Sequence, residues 1–212
     1  MIKFLNFAIY LILLFSIITF SQTNYKEIGY KIDEYFSSRN ITKPDTLVFI
    51  DISLQKLFFI TDTIIQKQYE ISSAQAGASF FAELRSNKTP LGLHKIESKI
   101  GDSLPIGNII KMKKILDSVG IIFRTGDIIP SDIEDIIMTR VLVLEGSEKG
   151  INKGKSSKGK IIDTFYRGVY IHGTNNEADI GKTNSHGCIR MRNNDIVELY
   201  EMVNLTTVIL LL

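Results

Sequence analysis

The chain has a single cysteine, Cys188, in 212 residues, so no disulfide forms within it and a core must hold the fold. It has no stripe of lysine or arginine. The net charge is only +2, with both signs mixed along the chain, which argues against a nucleic-acid partner. No Gly-Lys-Ser/Thr follows a strand pattern at the spacing of a phosphate-cradling loop, and no segment repeats. No cysteine follows the apolar start of the chain, so lipid attachment there is excluded.

That start is the longest apolar run. Residues 1–21 carry Lys3, then an almost wholly apolar stretch over residues 4–20, then small residues Thr19 and Ser21 before Gln22. This is the pattern of a secretory signal, with an uncleaved membrane anchor through residues 4–20 as the alternative. Either implies export to the periplasm or cell envelope. Residues 22–44 read as a helical linker segment, a spacer or a helix packed on the domain. Ile28, Ile32, Tyr35 and Phe36 recur at helical spacing, and Pro44 ends the segment. Residues 45–212 read as one domain.

Within that domain, strand patterns dominate: residues 46–51, 56–61, 64–72, 91–99, 139–146, 168–173 and 205–212. Short helices are predicted over Lys111 to Val119, over Ser131 to Met138 with Ser131 as cap, and over Asp195 to Val203 with Asn194 as cap. Residues 153–160 (KGKSSKGK) read as a flexible basic loop. The fold class expected is mainly β with a few short helices, as a sandwich or an irregular barrel.

Chemistry concentrates near Cys188. Its flanks (Asn184, Ser185, His186, Arg190) are polar, a poor setting for a buried structural thiol. A thiol attacks an acyl group as its thiolate and needs a base or cation beside it. His172, at the end of a predicted strand, is preferred over His186 as that base. A thiol so activated would react with iodoacetamide near pH 6. Gly187 permits a tight turn that directs backbone amides toward an oxyanion. Glu177, Asp179, Asn175, Asn176 or a backbone carbonyl are all open as the group orienting the imidazole. A zinc site from His172, His186 and Cys188 matches no common spacing, so no metal and no other cofactor is expected. His94 reads as a hydrogen-bonded strand histidine.

The segment Ile171-His172-Gly173-Thr174, then Ile180-Gly181, then Ser185-His186-Gly187-Cys188-Ile189-Arg190-Met191 resembles the signature of the bacterial L,D-transpeptidase catalytic domain, the YkuD domain. Lys88-Thr89-Pro90-Leu91-Gly92 is similar to the family's Thr-Pro-x-Gly block, and the resemblance extends over about residues 45–212. It implies a β fold of that type and an acyl transfer on peptidoglycan stem peptides that forms 3→3 cross-links. Cys188 would be the nucleophile, His172 its base and the Gly173 carbonyl the third element. Ser185, His186 and Gly187 would shape the oxyanion site, and Arg190 and Thr174 would meet substrate or support the site. A carbapenem would acylate the same thiol. Transfer to water (a carboxypeptidase or amidase) and a non-catalytic peptidoglycan scaffold are the alternatives. Residues 100–160 and 72–79 depart from the family pattern and are expected to reshape or cover the cleft.

Overall fold

The computed structural model describes residues 26–130 and 133–212. The leader reading for residues 1–21 and the cap expected at Ser131 lie outside the described residues.

Residues 26–38 form helix α1. Its apolar face carries Ile28, Ile32, Tyr35 and Phe36, all buried, and packs on Leu47, Phe49, Phe58, Ile60 and Leu210 of the sheet. Each such side chain contributes about 1.5–3 kcal/mol on burial. Lys31 adds an ion pair to Asp51 at 2.6 Å, and the Tyr35 hydroxyl donates to Glu148 at 2.6 Å. The helix is thus part of the folded body, and of the two sequence-based alternatives the free spacer is the one to discard.

The strands are β1 (Thr46–Asp51), β2 (Lys56–Thr61), β3 (Ile64–Ser72), β4 (Ala78–Ser79), β5 (Thr89–Pro90), β6 (Gly92–Ile100), β7 (Asn108–Lys111), β8 (Lys114–Val119), β9 (Ile137–Gly146), β10 (Tyr170–Thr174), β11 (Ile189–Met191) and β12 (Val208–Leu211). They run in the order β10-β11-β3-β2-β1-β12-β6-β9-β7-β8, and β10 also pairs with β9. That last pairing closes eight of the strands into an irregular barrel, leaving the β7–β8 hairpin as an outgrowth. A second helix, α2 (Asn193–Met202), packs Ile196, Leu199 and Tyr200 into the main core beside Val48, Ile50, Ile71, Leu142, Ile171 and Ile189. Strand β1 sends Val48 and Ile50 to this core and Leu47 and Phe49 to the α1 side. Burial on both faces explains its unbroken apolar run.

Three elements differ from the sequence-based expectation. Lys111 to Val119 is not helical. It belongs to a hairpin whose turn residues Met112 and Lys113 both have positive φ (51° and 64°), the requirement of a two-residue primed turn. Neither residue type signals that turn. Of the helix expected over 131–138, the described residues 133–136 are irregular and Ile137 and Met138 already belong to β9. Helix α2 starts at Asn193, and Asn194 is not its cap. The Glu177 carboxylate accepts from both the backbone N and the Nδ2 of Asn193 at 2.7 Å, placing a remote negative charge at the helix start. Residues 153–160 form hydrogen-bonded turns (Ser156 N to Lys160 O, 2.8 Å; Gly159 N to Ser156 O, 2.9 Å) rather than a free loop, and Lys153 pairs with Glu145 at 2.6 Å.

Candidate active site

Strands β10 and β11 run parallel, with His172 opposite Arg190 and Ile171 opposite Ile189. Side chains alternate across a strand, so Tyr170 and His172 share one face and Ile171 the other. The same alternation puts Cys188, just before β11, on the face of Arg190. Ile171, Ile189 and Met191 fill the core, and the opposite face carries the polar set Tyr170, His172, Cys188 and Arg190. His172 and Cys188 therefore lie diagonally across neighbouring strands. Fifteen intervening residues separate them in the chain only.

The His172 ring is buried, and its Nδ1 lies 2.8 Å from the Gly173 carbonyl. A carbonyl only accepts, so Nδ1 carries the proton and Nε2 presents a bare lone pair. That Nε2 is buried and has no hydrogen-bond partner. Burial pulls the imidazole's pKa below its ordinary value, against the opposing fields of Asp135 and the Gly173 hydrogen bond. The ring is neutral and poised to accept a proton.

The Cys188 thiol is turned to a different partner. Its S–H points to the Gly168 carbonyl at 3.6 Å, and Sγ receives the Tyr170 N–H at 3.4 Å. Burial pushes its pKa up to about 11. Burial and the Gly168 carbonyl both favour the protonated thiol at rest. Arg167 was not singled out in the sequence, yet it stands beside this turn. Its Nη2 donates to the Lys88 carbonyl at 2.6 Å, its buried Nη1 has no partner, and its charge lowers the thiol pKa against burial.

The loop before Cys188 is pinned from three sides. The Ser185 hydroxyl donates to the Cys188 carbonyl at 2.6 Å and accepts the Gly187 N–H at 3.2 Å. The Gly187 amide is therefore occupied and not open to an oxyanion here. The amides of Asn184 and Ser185 both donate to the Ser73 carbonyl, at 3.0 and 2.8 Å, and Gln75 N donates to Ser185 O at 3.0 Å. Thr89 Oγ1 accepts from Ala74 N and donates to the Gly187 carbonyl, both at 3.1 Å. The small residues at 72–74 thus form a buried buttress under the loop, not a lid, and the Thr-Pro block is its second support. Gly187 has φ +132°, a conformation that favours glycine.

Other sequence-based expectations resolve differently. His186 is exposed, outside the polar face. Thr174 is fully buried. Its hydroxyl accepts from Asn176 N at 3.1 Å and its carbonyl from Asn193 Nδ2 at 2.8 Å, so it braces the loop. Arg190 is 3% exposed and pairs with Asp135 at 2.6 Å, which favours support from beneath over contact with a free carboxylate. Glu177 caps α2, and the Asp179 carboxylate is held by Asn176 and Asn184 at 2.7 and 2.6 Å, so neither orients His172. His94 is a hydrogen-bonded strand histidine, between Gly92 O at 3.0 Å and Thr164 Oγ1 at 3.1 Å. Among the described residues, no three His, Cys, Asp or Glu side chains converge as metal ligands would.

Strand β9 contributes a further residue the sequence did not mark. The β10–β9 register slips between His172 and Gly173, opposite Val141 and Met138. Thr139 lies in the slip with φ 70°, strained for a β-branched residue. Its hydroxyl donates to Asn193 Oδ1 at 2.5 Å. Bulges of this kind re-aim side chains next to functional sites.

The model of the L,D-transpeptidase catalytic domain, YkuD, matches residues 45–210. The YkuD protein of Bacillus licheniformis is 61% identical over 166 residues, covering 64% of this chain and 92% of that one. The Bacillus subtilis YkuD match is 64% identical over 33 residues, covering 16% of this chain and 20% of its own. Among solved structures, an L,D-transpeptidase of Enterococcus faecium aligns at a TM-score of 0.47 and 16% identity, over 80% of this chain and half of that one. With the family model spanning more than three quarters of its length, the chain belongs to the L,D-transpeptidase catalytic domain (YkuD) family.

Proposed function

We propose that this protein is an exported L,D-transpeptidase that joins peptidoglycan stem peptides through a cysteine acyl-enzyme. The observation that carries the reading is the pairing of a neutral, buried His172, its Nε2 bare, with the Cys188 thiol on one face of adjacent parallel strands.

In this mechanism a donor stem displaces the Cys188 S–H from the Gly168 carbonyl and turns it to His172 Nε2. As Sγ attacks the carbonyl next to the terminal D-alanine, the S–H proton passes to Nε2. The C–N bond then breaks, and the imidazolium protonates the departing D-alanine amine. The Gly173 carbonyl keeps the Nδ1 proton in place and stabilises the transient imidazolium. The Tyr170 N–H, already directed at the sulfur, stabilises the thiolate character that develops there as the proton leaves. An amine of a second stem attacks the thioester, the C–S bond breaks, and the amine's proton returns through His172 to the thiolate. Arg190 and Asp135 hold the floor of the site.

The test is intact-mass analysis of the protein with a disaccharide-tetrapeptide, with Cys188→Ala in parallel. Loss of D-alanine and a cross-linked dimer are expected, absent in the variant. Cross-links from Cys188→Ala would refute the reading, and loss of D-alanine without a dimer would make the enzyme a carboxypeptidase. By the same chemistry a carbapenem adds its mass to the wild-type protein and not to Cys188→Ala. The apolar stretch at residues 4–20 would deliver the enzyme to the envelope, with or without cleavage before Gln22.

A further inference from the structure

The β7–β8 hairpin projects from the end of the sheet with an uncovered apolar surface. All six residues of β8 are exposed, and the strand order ends there. Met112, at the turn, is 86% exposed, and Ile121, just past β8, is 74% exposed. Ile106, Ile115, Leu116 and Val119 are exposed beside them. The base of the hairpin closes where Gly120 N donates to Gly107 O at 2.9 Å, so Ile106 and Ile121 flank the same base. Single apolar residues scattered over a surface are ordinary, whereas six on one hairpin mark a contact surface.

The charge around this surface is mostly of one sign. Lys111, Lys113 and Lys114 ring the turn, and Asp117 is the only acid between Asn108 and Ile121. Lys113 Nζ stands 4.1 Å over the Phe165 ring, which ties the tip to the 165–168 turn beside the thiol. Phe165 and Tyr166 are themselves exposed. Ile115 and Leu116 are consecutive in a strand and so point to opposite faces, and both are exposed. A folded partner covers one face of a strand, whereas a soft medium surrounds both. Apolar side chains on a tip, lysines around them and aromatic rings at the margin suit a bilayer interface. The apolar groups and rings lie at the acyl boundary, while the ammonium groups reach up to the headgroups.

We propose that the β7–β8 hairpin is a membrane-docking element that seats on a bilayer surface carrying anionic lipid. Met112, Ile115, Val119 and Ile121 enter the boundary between headgroups and acyl chains, and Lys111 and Lys114 pair with lipid phosphates. Lys113 stays over Phe165, so the docked hairpin holds the turn that carries Gly168, and with it the thiol face, close to the bilayer. This attachment is separate from residues 4–20 and does not depend on the transpeptidase reading.

The chain has no tryptophan, so Met112→Trp in the full chain installs a single fluorophore at the tip. The probe is vesicles of phosphatidylcholine with phosphatidylglycerol, in which brominated acyl chains quench a tryptophan that reaches them. Emission should shift to the blue and be quenched, and Ile121→Trp should report the same from the flank of the hairpin. Leu54→Trp, exposed on the β1–β2 turn, should not be quenched. Lys111→Gln and Lys114→Gln, added together to Met112→Trp, should lower the ratio of quenched to unquenched tip about thirtyfold, through the loss of two lysine–headgroup attractions. That ratio describes the tip alone, whether or not residues 4–20 hold the chain on the vesicle. Tip tryptophans that stay solvent-like on the anionic vesicles overturn the proposal, as does equal quenching of Leu54→Trp. Undiminished quenching on phosphatidylcholine alone, or after both lysines are replaced, overturns it too. A blue shift that follows protein concentration without lipid would assign the surface to a second copy of the chain and overturn membrane docking.

Discussion

The resting state of Cys188 can be tested without any substrate, by the pH dependence of its alkylation. Burial lifts the thiol from 9.0 to about 11. At pH 9 an unshifted thiol is about half thiolate, whereas Cys188 is about 1% thiolate. Below pH 9 its thiolate population is about a hundredfold smaller than that of an unshifted thiol. Iodoacetamide reacts with the thiolate, so its rate should climb about tenfold for each pH step of one, with no plateau up to pH 10. Intact mass against time, at several pH values and with free N-acetylcysteine as reference, gives that profile. Arg167→Gln should displace it further toward high pH, because the Arg167 charge lowers the thiol pKa. A plateau at neutral pH would mean a resting thiolate–imidazolium pair. It would refute the reasoning that the S–H rests on Gly168 and ionises only when His172 takes its proton during attack.

Three further outcomes follow from the packing. A Cβ on Gly173 would collide with Asn193 Oδ1 and approach the Met138 carbonyl at 2.7 Å, so Gly173→Ala should cost about 2 kcal/mol or more in chemical denaturation and abolish acylation. Thr89→Val removes the support of the Gly187 carbonyl and leaves the Ala74 amide unpaired. A loss of about 1–3 kcal/mol is expected, with slower carbapenem acylation by mass. Burial holds the His94 pKa down to about 4 from 6.5, so the unfolded chain gains a proton first as the medium acidifies. Stability contributed by neutral His94 is present above pH 6.5 and lost on the way down to about pH 4, on the order of 3 kcal/mol. His94→Gln should flatten that part of the urea-denaturation profile, and an unchanged slope would refute the assignment.

The sequence by itself determined the seven strands β1, β2, β3, β6, β9, β10 and β12, because alternation and unbroken apolar runs are local properties. It also marked the candidate nucleophile, because Cys188 is the only thiol and its flanking residues are polar. It supplied the family through motifs at fixed spacing. The sequence was mute wherever partners come from far along the chain. Met112 and Lys113 gave no hint of a primed turn, and Glu177 no hint that it caps α2. For residues 72–79 the sequence left reshaping and covering the cleft both open, because a buttress is defined by what rests on it. Barrel closure through β9 and β10, the strained Thr139, and the convergence of Asp135, Arg190 and His172 were decided by tertiary structure alone. So was the resting state of the thiol. A motif records which groups are present, whereas burial and the nearest carbonyl fix which of them holds the proton.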